Sequence, residues 1–345
     1  MMPNSLYLDH AATTPLLPQA AEAMARGYAM WANPSSPHRA GRAARAALEQ
    51  ARERIAAALG WSGEVLFTSG ANEGLAIAMA RSQAPLAAVS AVEHEAVLRL
   101  AGDAARLPVD ALGAVAPADC ALAGLVAVQQ VNNETGVIQP MPAIAEAVRG
   151  AGGLLLADCA QGAGKIALPD ADMVVLSAHK FGGPVGVGAL LLRDAGLIAP
   201  SGGQERGYRP GTENLPGVLG MAAALELGAQ WLEQAAALRA RLEAAIVAAG
   251  GEVVAAQAPR LPAIGAYRMP GVAAAAQLIR FDGQGIAISA GSACSSGSLR
   301  GSHVLDAMGL THPGEVIRVS IGRETSEADV DRFAQAWAAM AEGRR

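Results

Sequence analysis

Leu154-Leu155-Leu156-Ala157-Asp158-Cys159-Ala160-Gln161 and, a short way on, Met173-Val174-Val175-Leu176-Ser177-Ala178-His179-Lys180 are the stretches that decide the fold. Each is an apolar run of strand length that ends in side chains capable of chemistry. A short run that is apolar throughout fits a strand buried on both faces, and such strands belong to mostly parallel sheets. The pattern recurs at 65–68, 86–90, 125–129 and 187–192. Helical stretches at 72–81 and 142–149 lie between these runs, so βαβ order follows. Each run closes in a polar cluster: Ser69-Gly70-Ala71-Asn72-Glu73, Glu93-His94, Asn132-Asn133-Glu134, Asp158 with Gln161, and His179-Lys180. In an open parallel sheet a ligand sits at the carboxyl ends of the strands, where these clusters fall.

The flanking sequence agrees with that reading. Ala44, Leu48, Ala51, Ile55 and Leu59 are spaced by three or four, opposite Arg42, Arg45, Glu49, Arg52 and Glu53, which predicts an amphipathic helix over 39–59. A second, longer helical pattern runs over 219–249 and stops at Gly250-Gly251, where a domain boundary is expected. Beyond it, 316–321 reads as an alternating strand. Val330, Phe333, Trp337 and Met340 form one face of a last helix, with Ser326 as its N-cap. The expected division is a large domain at 14–249 and a small α+β domain made of 1–13 and 250–345.

Composition narrows the function. The chain has 345 residues, 52% hydrophobic and 17% charged, enough for a substantial core. A net charge of -5 offers no general attraction to nucleic acid or to an anionic membrane. No apolar run approaches the roughly 18 to 20 residues of a membrane span, and residues 1–9 lack the features of a leader. A cytoplasmic protein acting on small molecules is therefore expected. Cys120, Cys159 and Cys294 are odd in number and lack metal-type spacing, so each is read as a free thiol.

Lys180 lies between an apolar strand and Phe181-Gly182-Gly183-Pro184, where partial desolvation favours a neutral amine able to form a Schiff base. The ordinary alternative is a surface lysine opening a turn. Asp158 could hold a cofactor's pyridine nitrogen protonated, or merely cap a turn. The glycine turn at 68–73 could seat a phosphate on a helix N-terminus.

These stretches together resemble the cysteine desulfurases of the NifS/IscS type, fold-type I pyridoxal phosphate enzymes of the class V aminotransferase family. The likeness is carried by Tyr7-Leu8-Asp9-His10-Ala11-Ala12-Thr13-Thr14-Pro15, Asn33-Pro34-Ser35-Ser36, Glu93-His94, Val131-Asn132-Asn133-Glu134, Asp158-Cys159-Ala160-Gln161, Ser177-Ala178-His179-Lys180, Arg209-Pro210-Gly211-Thr212-Glu213-Asn214, Gly291-Ser292-Ala293-Cys294 and Ile317-Arg318-Val319-Ser320. It implies an α/β fold with a large, mostly parallel mixed sheet covered by helices, plus a smaller α+β domain.

The resemblance also assigns roles. Lys180 becomes the Schiff-base lysine, Asp158 the pyridinium partner and His94 the residue stacked on the ring. Asn133 and Gln161 reach the ring oxygen, while Ala71, Asn72, Ser177 and His179 cradle the phosphate. Thr212 reaches the cofactor of a neighbouring subunit, which implies a homodimer. Arg318, with Asn33, holds the substrate carboxylate, although a structural salt bridge is the plain alternative for that arginine. Cys294, among small residues at 289–298, is expected on an exposed, mobile loop, where it takes sulfur from L-cysteine as a persulfide and leaves L-alanine. The sulfur then goes to an acceptor in iron-sulfur cluster assembly or tRNA thiolation. Asn72 departs from the threonine usual in the family. Rival readings are a class V aminotransferase, a selenocysteine lyase, or a non-catalytic sulfur-acceptor scaffold.

Overall fold

The computed structural model describes residues 5–291 and 301–343. Twelve strands appear in chain order: β1 (Leu6–Tyr7), β2 (Glu64–Thr68), β3 (Leu86–Ser90), β4 (Ala105–Leu107), β5 (Leu125–Gln129), β6 (Leu154–Asp158), β7 (Met173–Ser177), β8 (Gly188–Leu192), β9 (Glu252–Val253), β10 (Ile264–Arg268), β11 (Ile286–Ala287) and β12 (Val316–Ser320). Seven form the main sheet in the order β2-β8-β7-β6-β5-β3-β4. The steps β4-β3, β3-β5, β5-β6 and β6-β7 are parallel, whereas β8 runs against both its neighbours. Two reversals restore direction, so β2 points the same way as β7. The carboxyl ends of β2, β3, β5, β6 and β7 therefore share one edge, and the polar clusters expected at strand ends come together there. Every residue of β5, β7 and β8 is buried, as the unbroken apolar runs require.

Among the described residues ten helices cover the sheets: α1 (Pro18–Met30), α2 (Arg39–Leu59), α3 (Ala71–Arg81), α4 (Glu95–Leu98), α5 (Met141–Gly150), α6 (Leu215–Glu226), α7 (Trp231–Ala248), α8 (Ala274–Asp282), α9 (His303–Ala307) and α10 (Glu327–Glu342). In α2 the expected stripe is fully buried at Ala44, Leu48, Ala51 and Ile55 and partly buried at Leu59. Arg52 is buried with it. Its guanidinium lies 4.4 Å over the Phe67 ring, and its Nη1 donates to Glu205 Oε2 at 2.8 Å. Glu205 also accepts from Phe67 N at 2.8 Å, which pins the loop that leads to Thr212 onto β2.

The single helix expected over 219–249 is two helices, α6 and α7, bent by 71°. The break falls at Gly228, which stands at φ +64, a left-handed conformation that ends a helix and that glycine adopts without a Cβ clash. The apolar spacing continued through the bend because both helices bury leucines. No single helix among the described residues is long and apolar enough to cross a membrane, and only this bent pair passes on length and composition together.

Beyond residue 250, β9, β10 and β12 form an antiparallel sheet, and β1 pairs with β11 in parallel. The strand expected to alternate at 316–321 is instead buried at all five positions of β12. In α10, Ser326 accepts from Asp329 N while the Asp329 side chain accepts from Ser326 N, a reciprocal cap. Phe333 stacks on Phe281 with ring centroids 4.9 Å apart, and Trp337 closes the cluster. Burial of side chains of this size contributes about 1.5 to 3 kcal/mol each, which fixes α10 on the small sheet.

Candidate active site

A cavity of about 500 Å³ opens at the shared strand edge. Into it come Ala71 and Asn72 after β2, His94 after β3, Asn133 after β5, Asp158 and Gln161 after β6, and Ser177, His179 and Lys180 after β7. Nine of the residues singled out from the sequence thus face one space.

One end of the cavity is built for an anion. Gly70 leads into α3 at φ +150, and a Cβ there would stand 3.5 Å from Ser177 Oγ. On the other side, a Cβ on Gly188 would come within 2.8 Å of Gly70 Cα. Glycine at both positions lets the turn lie flat on β8. The first N–H groups of α3 are then left facing the cavity beside the Ser177 hydroxyl, the arrangement that binds phosphate at a helix N-terminus.

The middle of the cavity is carboxylate and imidazole. Asp158 is buried, and its Oδ1 accepts from Ala160 N at 2.9 Å. Burial pushes its carboxyl up, while the Ala160 N–H and the charges of His94 and Lys180 oppose that rise. A cationic N–H brought to this carboxylate would keep it ionised and be held protonated in return. His94 is the N-cap of α4 and its Nδ1 accepts from Ala96 N at 3.1 Å, so in the neutral ring the proton lies on Nε2. Burial pushes its pKa down.

The amine lies opposite. Lys180 Nζ donates to the carbonyl oxygens of Ala11 and Ala12 at 2.7 and 2.9 Å. Gln161 Nε2 donates to the same Ala11 oxygen at 2.9 Å, which leaves Gln161 Oε1 buried without a partner. The segment 9–14 is thus the backbone that aims both side chains. It is itself held by Thr14 N donating to His179 O and by Ala11 N donating to Ser320 Oγ.

Other expected residues lie elsewhere. Arg318 does not line the cavity. Its Nη2 pairs with Asp9 Oδ1 at 2.7 Å and its Nη1 donates to Asn133 O at 2.8 Å, while Nε is buried without a partner. The salt bridge raised as its plain alternative is therefore present. Asn33 is exposed and caps its own turn, accepting from Ser35 N at 2.8 Å. Thr212 is exposed and off the cavity. Cys294 and its neighbours 292–300 lie outside the described residues. Cys120 and Cys159 are free thiols, as read, and are fully buried.

The sequence reading missed several residues of the site. Glu93 stands in the sequence only as part of a motif, yet it is fully buried and accepts from Gln129 N at 2.7 Å. Ala11 and Ala12 were likewise quoted without a role, because a backbone acceptor leaves no mark in a side-chain pattern. Lys165 carried no signal until the fold buried it.

The class V aminotransferase model matches residues 6–333. The chain belongs to the class V aminotransferase family. A cysteine desulfurase of Bradyrhizobium diazoefficiens is 39% identical to this class V chain, over 94% of the chain and 92% of that protein. A NifS-like protein of Rickettsia africae superposes with a TM-score of 0.89 at 28% identity, covering 98% of this chain and all of the other. A structure described as SspA in complex with cysteine gives a TM-score of 0.79 at 27% identity, over 93% of this chain and all of that one. The resemblance and the fold class read from the motifs are therefore borne out.

Proposed function

We propose that the chain is a cysteine desulfurase that uses pyridoxal 5'-phosphate to convert L-cysteine to L-alanine, with Cys294 receiving the sulfur as a persulfide. The observation that carries this reading is the convergence of an amine, a buried carboxylate, an imidazole and a helix N-terminus on one cavity. The residues fit the cofactor. Ala71, Asn72, Ser177 and His179 would take the phosphate, Asp158 the ring nitrogen, Asn133 and Gln161 the ring oxygen, and His94 the ring face, with Lys180 as anchor. Gln161 Oε1, buried and unpartnered, is available for a polar atom of such a group.

Once bound, the cofactor supplies an electron sink for negative charge at the substrate Cα. Lys180 has the Ala11 and Ala12 carbonyls to orient its nitrogen while it moves the Cα proton. Arg318 and Asn33 hold the substrate carboxylate, with Arg318 exchanging its contact with Asp9 for the ligand. The Cys294 thiolate attacks the substrate sulfur as the Cβ–Sγ bond breaks, so cysteine and a thiol become alanine and a persulfide with atoms conserved. A partner protein then takes the sulfur, in iron-sulfur cluster assembly or tRNA thiolation, in the cytoplasm.

The exposure of Thr212 away from its own cavity supports a homodimer in which it serves the neighbouring site. The grouping of β2 to β8 in one sheet, with β9, β10 and β12 in another, supports a large domain at 14–249 and a small one made of 1–13 and 250–345.

The test is incubation of the cofactor-loaded protein with L-cysteine and a thiol reductant while alanine and sulfide are measured together. Equal yields are expected, and Cys294→Ala should abolish sulfide release. Full activity in Cys294→Ala would overturn the reading, and cysteine consumed to its 2-oxo acid with neither alanine nor sulfide formed would favour an aminotransferase. No turnover by the loaded wild type would favour a scaffold. Relative rates on L-cysteine and L-selenocysteine decide between desulfurase and selenocysteine lyase.

A further inference from the structure

Of 26 lysine and arginine side chains, only Lys165 and Lys180 are lysines. Wherever a fixed positive charge serves, the chain uses arginine, whose guanidinium keeps its proton in a protein. Lysine survives at two positions, and the fold brings both to the wall of one small cavity of about 20 Å³, together with His10, Gln161, Trp231 and Arg323. That volume has room for about one water molecule. Gln161 and Lys180 also line the larger cavity, so they form the wall between the two spaces.

Lys165 is buried, and its Nζ donates to Gln161 O at 3.0 Å. The charge acting on it is the Lys180 ammonium rather than a carboxylate, and burial together with that charge pushes the Lys165 amine down to about 7. The other groups around the pair are accounted for. His10 and His179 are both pushed down to about 4 by burial and by the lysine charges, so both rings are neutral near pH 7. Arg323 lies over the Trp231 ring and donates to Gly228 O. Asp158 acts on Lys180 from the larger cavity.

We propose that the two amines hold one proton between them, and that Lys165 is the positioning residue that receives this proton when the Lys180 nitrogen must act as a nucleophile. This rests on the reading of Lys180 as the cofactor anchor. Lys180 ammonium and Lys165 amine become Lys180 amine and Lys165 ammonium, so the proton lost by one is the proton gained by the other across the small cavity that both line. Two ammonium groups in a poorly hydrated cavity repel, so the second proton leaves near neutrality and the pair titrates in shared steps. Arginine at 165 would hold its proton permanently and could accept none, in accord with the survival of lysine at that position.

Two lysines make the experiment direct. Full-length protein labelled with ¹³C at lysine Cε gives one resonance per lysine, and Lys165→Met or Lys165→Gln assigns them. In the wild type both resonances should move in two shared steps, one near neutrality and one alkaline. In either variant the Lys180 resonance should titrate in a single alkaline step. Uptake of pyridoxal phosphate at pH 7, followed by visible absorbance, should then fall about tenfold and regain the wild-type pH 7 value by about pH 8, since one pH unit is a factor of ten in free amine. The glutamine variant keeps a donor for the Gln161 carbonyl, so it isolates the proton-accepting role and also serves if the methionine variant does not fold. Independent single-step titration of both wild-type lysines, or a glutamine variant with the wild-type pH profile, overturns the proposal. Failure of the wild type to take up the cofactor at any pH overturns the assignment of the cofactor instead, while the shared titration is judged on the resonances alone.

Discussion

Replacing Glu93 by glutamine should remove a large pH dependence from the stability of the fold. Glu93 is fully buried, and burial pushes its carboxyl from 4.5 up to about 8; the Gln129 N–H opposes this rise and the Asp158 charge adds to it. Below pH 4.5 the carboxyl is protonated in both the folded and the unfolded chain. As pH rises, the unfolded chain ionises first, so the folded state loses relative stability until the pH passes about 8. That interval of 3.5 pH units, at about 1.4 kcal/mol each, amounts to about 5 kcal/mol. Glutamine keeps an oxygen to accept from Gln129 N and carries no charge in either state. The stability of Glu93→Gln relative to wild type should therefore climb by about 5 kcal/mol between pH 4.5 and 8 and then level off. Urea unfolding of both proteins at matched ionic strength, read at intervals across that range, measures the difference, in which the groups that do not interact with Glu93 cancel. A gap that is the same at pH 5 and pH 8 to within about 1 kcal/mol refutes the reasoning, as does one that runs the other way.

Glu205→Ala strips the buried carboxylate from the Arg52 guanidinium and leaves it only the more exposed Glu49 and the Val65 carbonyl, and loss of one member of a buried pair costs about 3 to 5 kcal/mol; denaturant unfolding giving a loss under about 1 kcal/mol would contradict this. Lys180→Ala should take up pyridoxal phosphate without a covalent link, so borohydride treatment should leave no added mass on any peptide, whereas label found on Lys165 would show that the wrong amine had been named as anchor. Ser326→Ala breaks the reciprocal cap of α10 and should cost about 1 kcal/mol in a thermal or denaturant melt, with no effect on cofactor uptake.

The main sheet was legible because its strands are buried on both faces, so the sequence spells them as unbroken apolar runs whose polar ends mark the site edge. Edge and paired fragments were not. β4 is three residues long with two of them exposed, and β1 and β11 have two residues each, too few for any period to show. The bend at Gly228 was hidden because one glycine interrupts a pattern that resumes in phase with burial. At the site, side chains that end strands could be named from their place after each run. The contact of Arg318 with Asp9 spans 309 positions, and the approach of Lys165 to Lys180 depends on how the turn after β6 packs; neither has a local signature.

Beyond its contacts with Gln161, His179 and Lys180, the stretch 6–14 is secured by what is made last: β1 by β11, Asp9 by Ser320 and Arg318, and Ala11 by the Ser320 hydroxyl. The oxygens that aim the Lys180 amine sit in that same opening stretch. During synthesis the ribosome therefore releases the beginning of the site long before the strands that finish securing it exist, and the main sheet can assemble before the amine's backbone acceptors are fully fixed. Competence to capture the cofactor would then arrive abruptly, once strand β12 has cleared the exit tunnel.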